Sequence, residues 1–377
     1  MEIRKMTPQP KPSRRKFLKI LGGGTILAAA GATTFGLTRT PTKALAPWGM
    51  ATSYTEPRRR ALAHALLAPN PHNLQPWLIE LDGDDTVIIH RDETRELPMT
   101  DPFHRQIFIG MGCFVEQMVI AASADGYAID LTLFPDGETG PIARAVFTKG
   151  ATPDPLAAQV LHRHCDKGLY SGEPVAPDAI AALADYANVI TDPAKTSEIR
   201  KIVTQALEIE LLTPRTLKES VDVMRIGKRE INANPDGLEM QGAIFDLGKM
   251  SGYITDEILM DTSHPTFRGV IEQNNANFAS TPAFVYLTTE TNTRLDQIET
   301  GRRWLRMHLK ITELGLGLQP VSQAIQEYAE MAALYKTTHQ LLASEGQTVQ
   351  MLGRLGYGTN AIKTPRWPLE AKILNET

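Results

Sequence analysis

The sequence predicts an α+β fold from three observations. Two pairs of strand-like runs are each joined by an Asp-Gly turn, at Asp82–Asp85 and Asp136-Gly137. A long run with helical apolar spacing, Ile107–Ala124, lies between those pairs. A buried strand followed by a helix recurs in the second half, as Pro282–Thr289 and Thr300–Leu314.

In chain order, Arg58–Leu67 reads as a short helix. It leads into Ala68–Trp77, APNPHNLQPW, which is too proline-rich for a helix and too irregular for a strand. Trp77–Leu81 and Thr86–Arg91 form the first hairpin, and Asp92–Gln106 is loop. Gly110 and Gly112 in the long helix permit close approach of another element, and Cys113 there reads as a small buried hydrophobe. Ala128–Phe134 and Ile142–Thr148 form the second strand pair, and Gly150–Pro155 is the seam between halves. Beyond it, Leu156–Cys165, Pro177–Tyr186, Ser197–Leu212, Thr216–Arg229, Leu238–Ser251 and Phe267–Asn275 read as helical, with a short strand at Asn188–Thr191. His308 sits on the apolar side of its helix and reads as a satisfied core histidine. Gly315–Pro320 breaks the pattern, Glu327–Ser344 and Gln347–Leu352 read as helices, and Arg354–Glu370 reads as a Gly/Pro-rich loop.

Composition narrows the chemistry. At 377 residues, 42% hydrophobic and 22% charged, the chain is of globular type. Two cysteines, Cys113 and Cys165, supply neither a disulfide framework nor a Cys-rich zinc site. No HExxH, Walker A, GxGxxG or GxSxG motif is present.

The N-terminus has the regions of an export signal. Ser13-Arg14-Arg15-Lys16-Phe17-Leu18-Lys19 precedes a mild apolar run, Ile20–Leu37, rich in Gly and Ala. The Arg pair followed by Phe-Leu-Lys resembles the twin-arginine signal, read by the twin-arginine export machinery. A transmembrane anchor and a plain basic tail are the other readings. Ala44-Leu45-Ala46 has the small-x-small form, but Pro47 is unfavourable at that cut; a cut after Ala44 is a second option, and the signal can also stay uncleaved. We therefore expect a signal segment over residues 1–46, a periplasmic or other extracytoplasmic location, and membrane tethering if no cut occurs. The twin-arginine route handles folded chains, which suits a tightly bound cofactor. Removing residues 1–44, with nine Lys/Arg and one acidic residue, takes the net charge from −4 to −12. So acidic a remainder argues against nucleic acid as a partner.

Two stretches carry candidate site chemistry. Asn70, Pro71, Asn73 and Gln75 suit a flat ligand with donor and acceptor edges, or form a helix-ending loop before a buried Trp. Arg163-His164-Cys165-Asp166-Lys167 places Arg163 and Lys167 four apart, so that on a helix both cations converge on one anion or make a solvated face.

Together these stretches resemble the nitroreductase-like FMN-binding family. Its Pro-Ser-x-x-Asn-x-Gln-Pro-Trp segment is matched by Pro69–Trp77, with Asn70 where Ser is usual. Its Arg-x-Ser/Thr-x-Arg phosphate motif is matched by Arg163-x-Cys165-x-Lys167. A strand, a helix and Gly-Leu-x-x-x-Pro are matched by Pro282–Thr289, Thr300–Leu314 and Gly315–Ser322, and a basic residue near the C-terminus by Arg366. Here the phosphate motif follows the loop, and each half lacks what the other supplies. This order resembles the Acg-type branch, in which two halves are fused.

The resemblance implies a nitroreductase-like fold with a central, mostly antiparallel sheet and surrounding helices. It implies a first half over residues 50–150, a second over residues 151–377, and one composite FMN site. It places FMN against Asn70, Pro71, Asn73, Gln75, Arg163, His164, Cys165, Lys167, Gln319, Pro320, Val321, Ser322 and Arg366. No protein acid or base is implied. The expected activity is FMN-dependent oxidoreduction with a small-molecule electron donor and acceptor, the chain being either a single pseudo-dimer or a further homodimer of pseudo-dimers. The rivals are a flavin-sequestering protein, lidded by Asp92–Gln106 or Leu212–Gly237, and an exported α+β domain with no cofactor.

Overall fold

The computed structural model describes residues 38–358 and 362–375. The leader motif around Arg14-Arg15 lies outside the described residues.

The first hairpin forms as expected, with β1 (Trp77–Asp82) antiparallel to β2 (Thr86–Arg91). After the long helix α3 (Arg105–Ala124) come β3 (Tyr127–Leu133) and β4 (Ala143–Lys149), also antiparallel. The sheet order is β1-β2-β4-β3. Two helices precede it, α1 (Thr42–Met50) and α2 (Pro57–Ala65).

The second half repeats this plan. α4 (Pro177–Leu183) leads to β5 (Asn188–Ile190); β8 (Ala283–Thr289), α11 (Arg294–Glu313), β9 (Gly317–Pro320) and β10 (Thr348–Gly356) come later. Their sheet order is β5-β8-β10-β9, with every pairing antiparallel. In each sheet the long helix joins the second and third strands of the chain order, and the fourth strand inserts between them. The α+β expectation holds, with two antiparallel sheets rather than one.

The two long helices cross at equivalent positions. A Cβ on Gly112 would lie 3.0 Å from Gly301 Cα and overlap the Ile298 carbonyl. A Cβ on Gly301 would lie 2.9 Å from Gly112 Cα and overlap the Ile109 carbonyl. Each glycine is the eighth residue of its helix, and each meets the other three residues after an isoleucine. Around the crossing, one apolar core joins Trp77, Phe114, Met118, Trp304 and Leu305 to both sheets. Trp77 stacks on Phe114 with ring centroids 4.6 Å apart. α3 is apolar and long enough to cross a membrane by composition, but it is the buried helix of this core. Cys113 lies there too, its thiol pushed up by burial.

Between α5 (Pro193–Leu212) and β8 an insertion packs against one side. It comprises α6 (Pro214–Asp222), β6 (Met224–Ile226), α7 (Gly227–Ala233), β7 (Leu238–Met240), α8 (Ala243–Met250), α9 (Asp256–Met260) and α10 (Pro265–Ala279). The last helix, α12 (Ala332–Leu342), precedes β10.

Five expectations fail locally. Gln347–Leu352 belongs to the central strand β10: a short apolar run has no period that separates a buried strand from a buried helix. Gly315–Pro320 contributes the strand β9 rather than a plain break. Thr216–Arg229 is interrupted by β6, and Leu238–Ser251 opens with β7, the two strands pairing in parallel. Leu156–Cys165 is not an α-helix; only a 3₁₀ turn forms, at Pro155–Gln159.

Candidate functional site

The loop after α2 is strained and tightly tied. His72, Asn73 and Gln75 all have left-handed backbones, with φ of 45°, 54° and 55°. Such conformations cost on the order of 1–3 kcal/mol each and persist only where surroundings enforce them. The enforcement is visible. Gln75 N–H donates to Asn70 Oδ1 at 2.8 Å, Gln75 Nε2 to Pro235 O at 2.8 Å, and Trp367 N–H to Gln75 Oε1 at 2.9 Å. Lys372 Nζ donates to Gln75 O at 2.7 Å. The C-terminal segment then runs along β1, with Ile79 N–H bonded to Lys372 O and Leu374 N–H to Ile79 O.

Two guanidiniums converge where α2 ends. Arg366 donates to Leu66 O at 2.7 Å and to Leu67 O and Ala68 O at 3.2 Å each; Arg163 Nη2 donates to Leu67 O at 2.7 Å. Both are buried, at 3% and 2% exposure. Among the described residues neither makes an ion pair. A helix C-terminus offers only about half a negative charge, so two cations there leave more than one positive charge uncompensated. Burial first, and the Arg163 charge second, push Arg366 down to about 9. Burial likewise lowers Arg163, whose Nε is buried without a partner.

His308 orients Arg163. Its Nε2 donates to His164 O at 2.9 Å, which leaves the Nδ1 lone pair facing Arg163 Nη1 at 3.5 Å. Burial and the Arg163 charge keep this imidazole well below its usual value, hence neutral. It is a core histidine, as expected, and one in contact with a candidate site residue. Asn73 joins the same group: its Oδ1 accepts from Arg366 Nη1 at 2.6 Å, and its Nδ2 donates to Pro365 O at 3.1 Å.

Residues 163–167 are not helical, so the four-residue spacing does not itself bring Lys167 beside Arg163. The Lys167 side chain is exposed, and its charge acts on His72. Burial and that charge push His72 down to about 4, and His72 Nδ1 is buried without a partner.

Asn70, Pro71 and Ser322 meet over one face of α3. Gln106 and Gly110 are one turn apart and share that face. A Cβ on Gly110 would lie 3.0 Å from Pro71 Cδ and 3.1 Å from Asn70 Cβ, and Ser322 Oγ donates to Gln106 Oε1 at 3.2 Å. So the loop of the first half and the end of β9 adjoin on the N-terminal half of α3.

Several candidate groups are committed elsewhere. The Gln75 amide is fully buried and is spent on Asn73 O, Pro235 O and Trp367 N–H. Val321 points into an apolar cluster, and its N–H bonds Leu352 O. Gln319 Oε1 accepts from Arg354 Nε at 2.6 Å, and Pro320 pairs with Gly353. His164 Nδ1 turns back to His162 O at 2.9 Å. Cys165 is a free, half-buried thiol whose charge acts on Arg163.

Sequence reasoning missed Arg354 and Trp48. Arg354, near the end of β10, donates to Asp166 O, Gly168 O and Asn277 O and stacks on Tyr170, so it shapes the loop after Arg163. The signal was present: a lone arginine within Met351–Gly356. Trp48 on α1 packs over Arg366 and Lys363 and donates Nε1–H to Thr364 O at 2.8 Å.

Both expected lid segments lie over the loop and bond each other. Glu219 accepts from Met99 N–H at 2.7 Å and Thr100 N–H at 2.9 Å. Asp236 accepts from Arg95 at 2.6 Å, Trp367 Nε1 at 2.9 Å and Arg225 at 2.9 Å. Burial opposes its ionisation, but the bonds from Arg95 and Trp367 outweigh it and hold the carboxyl below its usual value. Gly237 N–H closes onto Asn73 O at 3.2 Å.

Lys372 makes the loop pH-sensitive. Burial, with Arg95 second, pushes its ammonium down to about 7. Between that value and its unfolded value near 10.4, the unfolded chain binds the proton and the folded chain does not. Stability therefore rises with pH from about 7 to about 10, by up to about 1.4 kcal/mol per pH unit. Denaturant titrations of Lys372→Met are expected to lack this slope; an equal slope in variant and parent would refute the assignment.

The fold is thus an α+β arrangement of two antiparallel sheets of one topology, with a cationic site where α2 ends. No family model matches the sequence. Over a 326-residue alignment, the chain is 24% identical to a protein of Mycobacterium tuberculosis strain H37Rv described as a candidate NAD(P)H nitroreductase. The match covers 82% of this chain and 88% of that one, and strain CDC 1551 has a counterpart with the same figures. Among solved structures, a candidate nitroreductase from Anabaena variabilis is 10% identical, covering 78% of this chain and 82% of its own, at a TM-score of 0.43. The FMN-dependent nitroreductase NfnB of Mycobacterium smegmatis, solved with NADPH, is 15% identical, covering 57% of this chain and 96% of its own, at 0.35. The names of the sequence relatives support the nitroreductase-like resemblance of the motif set.

Proposed function

We propose that this chain is an FMN-dependent oxidoreductase of the nitroreductase type, with one composite flavin site per chain. The observation that carries this reading is the pair of buried guanidiniums, Arg163 and Arg366, which exceed the charge that α2 can offset. A flavin phosphate is an anion of the required charge, and the unpartnered Arg163 Nε fits such a ligand. When bound, FMN supplies two-electron transfer between a donor and an acceptor. The chain's own groups then have separate tasks. Arg163 and Arg366 neutralise phosphate, with His308 fixing Arg163 and Asn73 fixing Arg366. Gly110 lets the Asn70-Pro71 backbone lie close to α3. The segments bonded through Glu219 and Asp236 exclude water from that wall.

The repeated sheet order and the matched glycine crossing favour two fused halves acting as a pseudo-dimer, within the Acg-type branch. Each half contributes a different wall, so only one site is complete. The Arg14-Arg15 leader supports export of the loaded chain by the twin-arginine machinery to the periplasm. Donor and acceptor are small molecules, and two pseudo-dimers can associate further.

The cap bonded onto Asn73 and Gln75 favours a second reading, flavin sequestration with little turnover. Anaerobic addition of NADPH and a nitroaromatic acceptor to the yellow protein separates the two. Bleaching by NADPH and recovery with the acceptor are expected. Bleaching by dithionite alone would favour sequestration, and no yellow chromophore after adding FMN would sink both.

A further inference from the structure

We propose that the cavity lined by Arg294, Glu138 and Phe108 binds a small zwitterion with an apolar body, an aromatic α-amino acid, at a place separate from the flavin site. The cavity measures about 410 Å³, a volume suited to a small molecule. Phe108, Pro141 and Ile142 give it apolar wall. It lies across α3 from the Asn70-Pro71 loop. Phe108 is two residues from both Gln106 and Gly110, and so about 200° round the helix from the face that they share.

The likeness of the two halves identifies the missing groups. Arg105 and Arg294 are the first residues of α3 and α11, and Glu138 stands as far beyond Gly112 as Glu327 does beyond Gly301. On one side the pair is closed, with Arg105 Nε donating to Glu327 Oε2 at 3.0 Å. On the other, Arg294 and Glu138 make no ion pair among the described residues, and both line the cavity. Arg294 Nη1 donates to Phe103 O at 2.7 Å and Gln297 Oε1 at 2.9 Å, and its guanidinium lies over the Phe108 ring at 4.3 Å. Among the described residues its Nε and Nη2 carry no hydrogen bond, and that edge is a side on which a carboxylate docks through two parallel bonds. Burial lowers Arg294, and Glu138 is the charge that acts on it most strongly. The other guanidinium at the cavity, Arg91, is already spent on Glu93 and Glu96. One cation and one exposed carboxylate are left apart. A simple anion would answer Arg294 and be repelled by Glu138, and a simple cation the reverse. A zwitterion answers both, its carboxylate on Arg294 and its ammonium on Glu138, with its ring against Phe108 and Ile142.

The test is calorimetry on the full chain, FMN-free and FMN-loaded, so that its outcome does not depend on the flavin reading. The probes are L-phenylalanine, phenylpropanoate, which lacks the ammonium, and phenethylamine, which lacks the carboxylate. Phenylalanine is expected to bind both forms alike, and each singly charged probe at least about tenfold more weakly. Glu138→Gln and Arg294→Gln should each weaken phenylalanine binding at least about tenfold and leave FMN content unchanged. Glu138 is exposed and makes no bond that holds the fold, so its variant reads the site even where Arg294→Gln fails to fold. No binding of phenylalanine, equal binding of the three probes, unchanged affinity in Glu138→Gln, or displacement of FMN by phenylalanine would overturn the proposal.

Discussion

Replacing Arg163 and Arg366 together by glutamine is expected to weaken FMN retention by roughly a thousandfold. Hydrogen bonds to charged groups are worth about 1.5–3 kcal/mol each, so losing two costs about 4 kcal/mol of binding, or about three decades. Glutamine keeps an amide donor for the carbonyls of Leu66 and Leu67, which now hold both guanidiniums. The ligand-free protein should tolerate the change, because it removes two buried cations that repel each other. Equilibrium dialysis with FMN, alongside thermal unfolding of the ligand-free chain, reads both effects. Unchanged retention in a folded variant would refute the phosphate assignment. Lys167→Ala alone should have a smaller effect, because that side chain is exposed and its charge is screened by water.

Gly112→Ala and Gly301→Ala are each expected to destabilise the fold by at least about 3 kcal/mol, visible as a fall in Tm of about 6 °C or more. Both added methyl groups would strike backbone of the opposing helix, which cannot rotate aside as a side chain would. The sites are equivalent across the crossing, so the two losses should be alike. A tolerated alanine at either position would mean that the helices can separate, and that the crossing does not fix the spacing of the two sheets. Gly110→Ala should act differently. Its methyl would press on Asn70 and Pro71 rather than on α11, so flavin retention should fall more than stability.

Legibility in the sequence followed the locality of the interactions. The β1–β2 hairpin, the β3–β4 pair and α3 each carry their own turn residues or period, and each forms close to its expected bounds. β10 was misread because its identity comes from its neighbours: it runs between β8 and β9, whose residues lie far away in the chain. The segment Leu156–Cys165 failed for a related reason. Its apolar residues pack individually against α3 and α11 without making one helical face. That error also removed the helical spacing from which the pairing of Lys167 with Arg163 was argued.

The candidate site divides in the same way. Residue types named Asn73, Arg163 and Arg366 as polar groups in suspicious places, and the fold brings all three to the end of α2. No local pattern could tell that Gln75 spends its amide on the protein's own backbone, because its partners include the distant Pro235 and Trp367. Val321 likewise belongs to the core through contacts with distant residues. Trp48 falls between the expected signal segment and the expected first half, where no role was assigned, yet it packs on Arg366.

Flavin stoichiometry tests the account most directly. The purified full chain is saturated with FMN, freed of excess, and its visible absorbance is set against protein concentration. One FMN per chain is expected, lost in the Arg163→Gln/Arg366→Gln variant. Two FMN per chain, or none after reconstitution, would contradict a single composite site shared by the two halves.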